Sequence, residues 1–311
     1  MKVLVFGAGG QIGREVCRAS WPSHYTLVPL DRDKIDITKS ALVSAAFRKE
    51  RPDLAINLAA YTAVDRAESE PEAAWAVNCA GAAHIAAACD ETGTPLIHLS
   101  TDYVFDGRKT ESYREDDPVS PLSVYGCSKE ASERAVRAAL QSHIILRTAW
   151  VYGAYGVNFV KTMLRLGAER PLLRVVADQH GCPTSAAEIA TALIVIAKHL
   201  ERGYARWGTY HFAGAGAVSW YGFAEEIFEL AALRLAARPQ LVAIGTEQYP
   251  TPARRPMNSV LDCRKIKEVY GISPPPWRAA LSRVIEQLID PTRTELTKRD
   301  NVATARADLL Q

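Results

Sequence analysis

Tyr125-Gly126-Cys127-Ser128-Lys129 sets a phenol and an ammonium four residues apart. Four residues is one helical turn, so both groups project from the same helix face. A phenol with an ordinary pKa near ~10 is a poor acid or base at neutral pH. A neighbouring ammonium favours the phenolate and lowers that pKa, which is one way to build a general acid/base. The same spacing also describes a surface tyrosine packed by a lysine stem, so context must decide. Upstream, an apolar run leads into Ser100-Thr101-Asp102-Tyr103-Val104-Phe105, with Thr101 24 residues before Tyr125. A hydroxyl at the carboxyl end of a central parallel strand lies where ligands bind in open α/β sheets, and it can polarise a substrate carbonyl together with the tyrosine. Ser100 reads as a strand-end turn residue.

A third signal stands at the N-terminus. Lys2 to Phe6 runs into Gly7-Ala8-Gly9-Gly10-Gln11-Ile12-Gly13, and a helix follows near Arg14. Glycines let the backbone turn sharply and approach a pyrophosphate, whose charge is met by the helix N-terminus. The usual dehydrogenase fingerprint places its third glycine where this chain has Ile12; the spacing here is G-x-x-G-x-x-G, at Gly7, Gly10 and Gly13. Leu30-Asp31-Arg32 follows the second strand, where the adenosine ribose of a dinucleotide would lie. Asp31 suits the 2′-hydroxyl of NAD and Arg32 the 2′-phosphate of NADP. The pair leaves the choice between NADH and NADPH open.

These groups need a scaffold, and the hydrophobic pattern supplies one. Lys2 to Phe6, Thr26 to Leu30, Leu54 to Leu58, Pro95 to Leu99 and Ile144 to Arg147 are short apolar runs. Such runs are strands covered on both faces. Helical patterns at Ser40 to Lys49, Pro71 to Thr92 and Ser123 to Leu140 alternate with them. The alternation predicts an α/β fold, a Rossmann-type doubly wound parallel sheet. Beyond about Trp150 loops lengthen and Trp, Tyr, Gly and Pro cluster, with helices at Ala186 to Leu200, Tyr221 to Ala236 and Trp277 to Ile289. The expected organisation is a cofactor-binding domain over 1–150, with later returning elements at about 172–200. A smaller, interleaved C-terminal substrate-binding domain takes up 151–290. Residues 291–311 are polar and charged and read as a surface tail.

Composition excludes other classes. With 37 Lys and Arg against 35 Asp and Glu, the net charge is +2. No concentrated basic field marks a nucleic-acid partner. The six cysteines form no C-x-x-C pair, and the seven histidines include no H-E-x-x-H, so neither a disulfide framework nor a zinc site is written here. No apolar stretch is long enough for a membrane span, and the apolar start is too short for a signal peptide. The cytoplasm is the expected location.

Gly7-x-x-Gly10-x-x-Gly13, Thr101 and Tyr125-x-x-x-Lys129 together resemble the extended short-chain dehydrogenase/reductase superfamily. Within it, five segments are similar to the dTDP-4-dehydrorhamnose reductases. They are Asn57 to Asp65 with Ala67-Glu68, Ser100 to Gly107, Arg147 to Gly153, Asp178 to Thr184 and Arg255 to Ser259, and the similarity spans about residues 1–289. The resemblance implies reduction of the C4 ketone of dTDP-4-dehydro-β-L-rhamnose by NADPH or NADH, in dTDP-rhamnose biosynthesis. It makes Tyr125 the proton donor, Thr101 its assistant and Lys129 the holder of the nicotinamide ribose. It puts Gly10, Gln11 and Ile12 at the pyrophosphate, Asp31 at the adenosine ribose, Asp36 and Ile37 at the adenine, and Ala60, Tyr61 and Thr62 at the middle of the cofactor. Thr101, Asp102 and Trp150 would hold the sugar. Arg254 and Arg255 suit the substrate diphosphate, guanidinium matching phosphate geometry. Some relatives associate with Mg2+ through acidic residues at a homodimer contact, which singles out Glu15 and Glu188. Two rival readings are a reductase of another 4-keto nucleotide sugar and a non-catalytic NADP-binding regulatory subunit.

Overall fold

The computed structural model describes residues 1–232 and 238–289. The expected tail at 291–311, and the end of the helix expected to reach Ala236, lie outside the described residues. In the first half β1 (Lys2–Phe6), α1 (Gln11–Arg18), β2 (Thr26–Leu30), α2 (Ser40–Glu50) and β3 (Leu54–Asn57) alternate. Two short helices, α3 (Val64–Ala67) and α4 (Pro71–Trp75), lead through a π-helical turn at Ala76–Ala80 into α5 (Gly81–Thr92). Then come β4 (Leu96–Thr101), α6 (Val124–Ala139) and β5 (His143–Thr148). The second half holds β6 (Val151–Tyr152), α7 (Phe159–Glu169), β7 (Leu172–Val176), β8 (His180–Gly181), β9 (Thr184–Ser185) and α8 (Ala186–Glu201). It continues with β10 (Gly208–His211), β11 (Val218–Ser219), α9 (Trp220–Ala231), β12 (Gln240–Ile244), α10 (Arg264–Tyr270) and α11 (Trp277–Ile289).

Six strands form one parallel sheet in the order β10-β5-β4-β3-β1-β2. Its central strands are buried on both faces: Val3, Leu4, Val5 and Phe6 are fully enclosed, which is why β1 reads as an unbroken apolar run. One face packs against α1 and α8, joining Ile12 and Val16 to Ile189, Leu193 and Ile196; the other packs against α2, α5 and α6. The chain starts one strand in from the edge of the sheet, runs outward to β2 at that edge and returns to β3 on the other side of β1. That reversal opens a crevice beyond the carboxyl ends of the strands, the place where such sheets bind ligands.

The later chain returns to this scaffold differently from the sequence reading. The segment at 172–176 pairs in parallel with β12, not with the central sheet. The strand that returns is β10, beside β5 at the edge, and α8 is the helix that returns. Around β7 and β12, α7, α9 and α11 enclose a separate apolar core of Val160, Leu173, Phe223, Phe228, Trp277 and Leu281, among others. Among the described residues no helix is long and apolar enough to cross a membrane.

Candidate active site

A cleft of about 840 Å³ runs from the glycine turn, across the ends of β4 and β5, to the core built around β7. At its first end Gly7 has φ +77° and donates to the Leu30 carbonyl over 2.8 Å, closing the strand into the turn. A Cβ on Gly7 would lie 2.6 Å from the Ala59 nitrogen, and one on Gly13 would lie 2.2 Å from the Gly7 oxygen. Both glycines are therefore demanded by packing of the turn itself. Gly10 is different. A Cβ there would meet only the Gly7 oxygen, at 3.3 Å, and the residue lines the cleft. Gly10 also opens α1 without a side-chain cap, so the N–H groups of Gln11, Ile12 and Gly13 have no intrahelical acceptor. This is an anion cradle that a pyrophosphate would fill.

The other residues assigned to the cofactor fall into two groups. Gln11, Ile12, Ala60, Thr62 and Lys129 line the cleft with the glycines. Asp31 abuts the turn, its Cβ 3.5 Å from a Cβ built on Gly9, and its carboxylate accepts from the Lys34 backbone at 3.2 Å. Arg32 and Asp36 are exposed, Asp36 accepting from the backbone N–H and hydroxyl of Thr38 at 3.0 and 2.7 Å. Ile37 is buried against Gly81, where a Cβ would clash with it at 2.6 Å. Tyr61 points its hydroxyl to Glu70, 2.6 Å away, and does not line the cleft.

Midway along the cleft Thr101, at the end of β4, and Tyr125, in the first turn of α6, share a side-chain hydrogen bond. Ser123 starts that helix by accepting the Gly126 N–H at 3.1 Å, which sets the turn that carries Tyr125. The Thr101 hydroxyl also donates to Asp102 over 3.0 Å. Lys129, 2% exposed, donates to the Leu99 carbonyl over 2.7 Å. Burial pushes the Tyr125 hydroxyl up to about 12, against the Thr101 hydrogen bond; the Asp102 charge adds to the rise. Desolvation thus outweighs the one hydrogen bond that opposes it. Burial also lowers Lys129 to about 8, opposed by the charge of Glu133. Asp102 is raised to about 6 by burial; its Oδ2 has no hydrogen-bond partner, although the Ser259 hydroxyl lies near enough to favour the charge. An unpartnered buried acceptor beside a reactive pair suits a polar group of a substrate.

Farther along, Trp150 follows β5 with φ +44°, an unusual conformation for a bulky residue. Its indole stacks on Trp220 with centroids 3.4 Å apart and planes 2° from parallel, and both rings line the cleft. Arg255 also reaches the wall, but Asp65 holds it in a fork, Nη2 to Oδ2 at 2.7 Å and Nη1 to Oδ1 at 3.1 Å. Thr251 and the Ala253 carbonyl take further donors, and Tyr103 another. Arg254 is exposed and outside the lining. Glu188 is paired with Arg283 at 2.8 Å, and Glu15 is half-buried with its carboxyl 3.9 Å from a Cβ built on Gly153. Among the described residues no three His, Cys, Asp or Glu side chains group as a metal site. Glu188 meets Arg283 through Oε1 alone, and its buried Oε2 has no hydrogen-bond partner.

Two polar features behind the site were not read from the sequence. Asn78, buried in the π-helical turn, clamps the cleft loop at Tyr61 by accepting its N–H at 2.8 Å and donating to its carbonyl at 3.2 Å. It also donates to Ser128 at 2.9 Å, and Ser128 in turn donates to the Tyr125 carbonyl at 2.8 Å. A π-bulge at a functional site is a known pattern. The available signal was one amide inside an alanine-rich helical run. One turn after Lys129, the fully buried Glu133 accepts from Ser100 at 2.6 Å and from Arg147 at 2.8 and 2.7 Å. Its signal was an acidic residue four positions beyond a catalytic candidate, facing inward.

The sequence model described as the RmlD substrate binding domain matches residues 1–289. A dTDP-4-dehydrorhamnose reductase from Aggregatibacter actinomycetemcomitans is 44% identical over 287 residues, covering 91% of this chain and 98% of the relative. The chain belongs to the dTDP-4-dehydrorhamnose reductase family. Among solved members, the Clostridium acetobutylicum reductase superposes on this chain with a TM-score of 0.86 at 38% identity, over 93% of this chain and 99% of that one. The Bacillus anthracis reductase, solved in complex with NADP, matches with a TM-score of 0.86 at 36% identity, over 92% and 99%. The doubly wound parallel sheet expected from the hydrophobic pattern is thus the fold of the family.

Proposed function

We propose that this family member reduces the C4 ketone of dTDP-4-dehydro-β-L-rhamnose to dTDP-β-L-rhamnose with NADPH or NADH, in dTDP-rhamnose biosynthesis. The observation that carries the reading is the meeting, in one cleft, of the open Gly10 cradle with Thr101, Tyr125 and Lys129. A bound reduced nicotinamide dinucleotide supplies the hydride. The chain would hold it with Gly10, Gln11 and Ile12 at the pyrophosphate, Asp31 at the ribose, Ala60 and Thr62 along its middle, and Lys129 at the second ribose.

The residues then have separable tasks. Tyr125 hydrogen-bonds the ketone oxygen and Thr101 turns its one hydroxyl proton from Asp102 to the same oxygen, so charge developing there meets two donors. Tyr125 gives its proton to that oxygen. A phenol held near 12 enters the reaction fully protonated, as a donor must, and the growing alkoxide is the strong base that takes the proton. Asp102 and Trp150 position the sugar ring, and holding two large partners together accounts for much of the rate. No step needs Mg2+. A homodimer and a cytoplasmic location fit this reading and add nothing to the chemistry.

The test is direct. Purified chain is supplied with dTDP-4-dehydrorhamnose and NADPH, and cofactor oxidation is followed alongside dTDP-rhamnose formation. Turnover with this sugar and slower turnover with other 4-keto nucleotide sugars is the expected result. Absence of NADPH oxidation with the first sugar overturns the proposal, and no turnover with any 4-keto sugar points to a binding role.

A further inference from the structure

The proposed reaction brings two diphosphates into one cleft, and the glycine turn serves only one of them. A second pyrophosphate carries the nucleotide-sugar linkage and needs its own cationic or N–H partner. Among the described residues three cations line the cleft: Lys129, Arg174 and Arg255. Lys129 is buried beside Tyr125 at the reacting end, with one donor already on the Leu99 carbonyl. Arg255 is neutralised by the Asp65 fork and shares its remaining donors with Thr251, Ala253 and Tyr103. Turning it toward a phosphate would strip Asp65 of its cationic partner and leave it only the Ala253 N–H.

Arg174 is in the opposite state. Strand alternation in β7 buries Leu173 and Val175 and turns Arg174 outward, on the cleft wall formed with Thr162, Met163 and Leu166. Among the described residues no carboxylate, carbonyl or aromatic ring engages its guanidinium. Met163, Leu166, Val175, Phe159 and Trp220 give the lining of the same cleft much of its apolar and aromatic character. A free guanidinium on such a wall is poised for an anion, and its planar fork matches two phosphate oxygens.

We infer that Arg174, rather than Arg254 or Arg255, is the residue that binds the diphosphate of the nucleotide-sugar substrate. This rests on the nucleotide-sugar reading above and assigns the substrate's anion to one side chain. It also sets a specificity: the site rewards a nucleoside diphosphate over the bare nucleoside.

The test compares dTDP with thymidine, and both with NADPH, binding to the full chain by calorimetry. Wild type binds dTDP more tightly than thymidine. Arg174→Gln weakens dTDP binding by about tenfold to a hundredfold, the size of a lost charge-assisted hydrogen-bond pair, and leaves thymidine and NADPH affinities in place. Arg174→Lys recovers part of the loss, since it restores the charge without the fork. An unchanged denaturation midpoint in both variants shows the fold intact. If Arg174→Gln binds dTDP like wild type, or loses NADPH instead, the assignment is wrong. If wild type reduces the ketone while the variant keeps its dTDP affinity, only Arg174 is refuted. Failure of wild type to bind dTDP overturns the assignment and the nucleotide-sugar reading together.

Discussion

Tyr125 and Lys129 sit on one helix face, but burial acts on them in opposite senses, and that separation defines what each can do. Desolvation disfavours whichever form is charged, so it raises the phenol to about 12 and lowers the ammonium to about 8. The phenol stays protonated throughout the accessible pH range and works as a donor. Tyr125→Phe removes the proton while keeping the ring, and kcat is expected to fall by about a hundredfold to ten-thousandfold with NADPH affinity retained. Unchanged kcat in this variant would remove Tyr125 from the chemistry. The ammonium behaves differently with pH. A base whose pKa is lowered carries its charge below about 8 and loses it as pH rises through that value. NADPH binding measured between pH 7 and 9 is therefore expected to weaken by about tenfold on the alkaline side, as a charge-assisted hydrogen bond to the ribose becomes a neutral one. In Lys129→Met the affinity is lower and that slope is flat. A slope that survives in Lys129→Met would assign it to another group.

The helix that carries this pair, α6, is anchored by charge as well as by apolar packing. Glu133 is fully buried and Arg147 is 2% exposed, and their fork ties α6 to β5 while Ser100 ties it to β4 just before Thr101. Burial pushes the Glu133 carboxyl up, but Arg147, Ser100 and Arg137 outweigh it and hold it below the usual range. Removing one partner of such a pair strands the other. Arg147→Met is expected to cost about 3–5 kcal/mol in urea denaturation, and the double replacement with Glu133→Leu to recover part of that. A cost under about 1 kcal/mol for the single change would mean that Arg137, half-exposed and 2.6 Å from Glu133, suffices. This anchoring was beyond reach of the sequence because the three residues lie on three elements. What was legible was whatever is local: β1, β2 and α11 end where the apolar runs end, and the Gly7, Gly10 and Gly13 spacing marked its turn. The run from Pro71 to Thr92 reads as one helix, yet it contains a π-helical turn that buries Asn78 against the Tyr61 loop, a tertiary requirement with only one amide to signal it. Gly208–His211 has neither length nor apolar alternation, and it becomes a strand because the exposed edge of β5 accepts it.

The molecule as a whole joins two cores across one cleft, and the join is specific. The loop between β6 and α7 reaches back to both ends of α1: Asn158 donates to the Gln11 side chain at 2.9 Å, Gln11 donates to the Val157 carbonyl at 3.3 Å, and Arg18 at the far end donates to the Tyr155 hydroxyl at 2.8 Å. Asn158 also caps α7 by accepting the Lys161 N–H and bonds the Gly153 carbonyl, so one side chain fixes the loop, the helix and the phosphate turn together. Ligand that binds the turn should therefore stabilise both cores and not the cofactor sheet alone. NADPH at about a hundred times its Kd contributes about 2.7 kcal/mol to the folded state. Far-ultraviolet circular dichroism follows the whole chain, while the near-ultraviolet signal includes the stacked Trp150–Trp220 pair, which belongs to the core around β7. With NADPH the two melting curves are expected to rise together by several degrees. In Asn158→Ala the chain loses a helix cap, worth about 1 kcal/mol, and the near-ultraviolet transition should then lag behind the other on NADPH addition. Separate transitions in wild type, with the tryptophan signal indifferent to NADPH, would show that the two cores share a cleft without sharing stability.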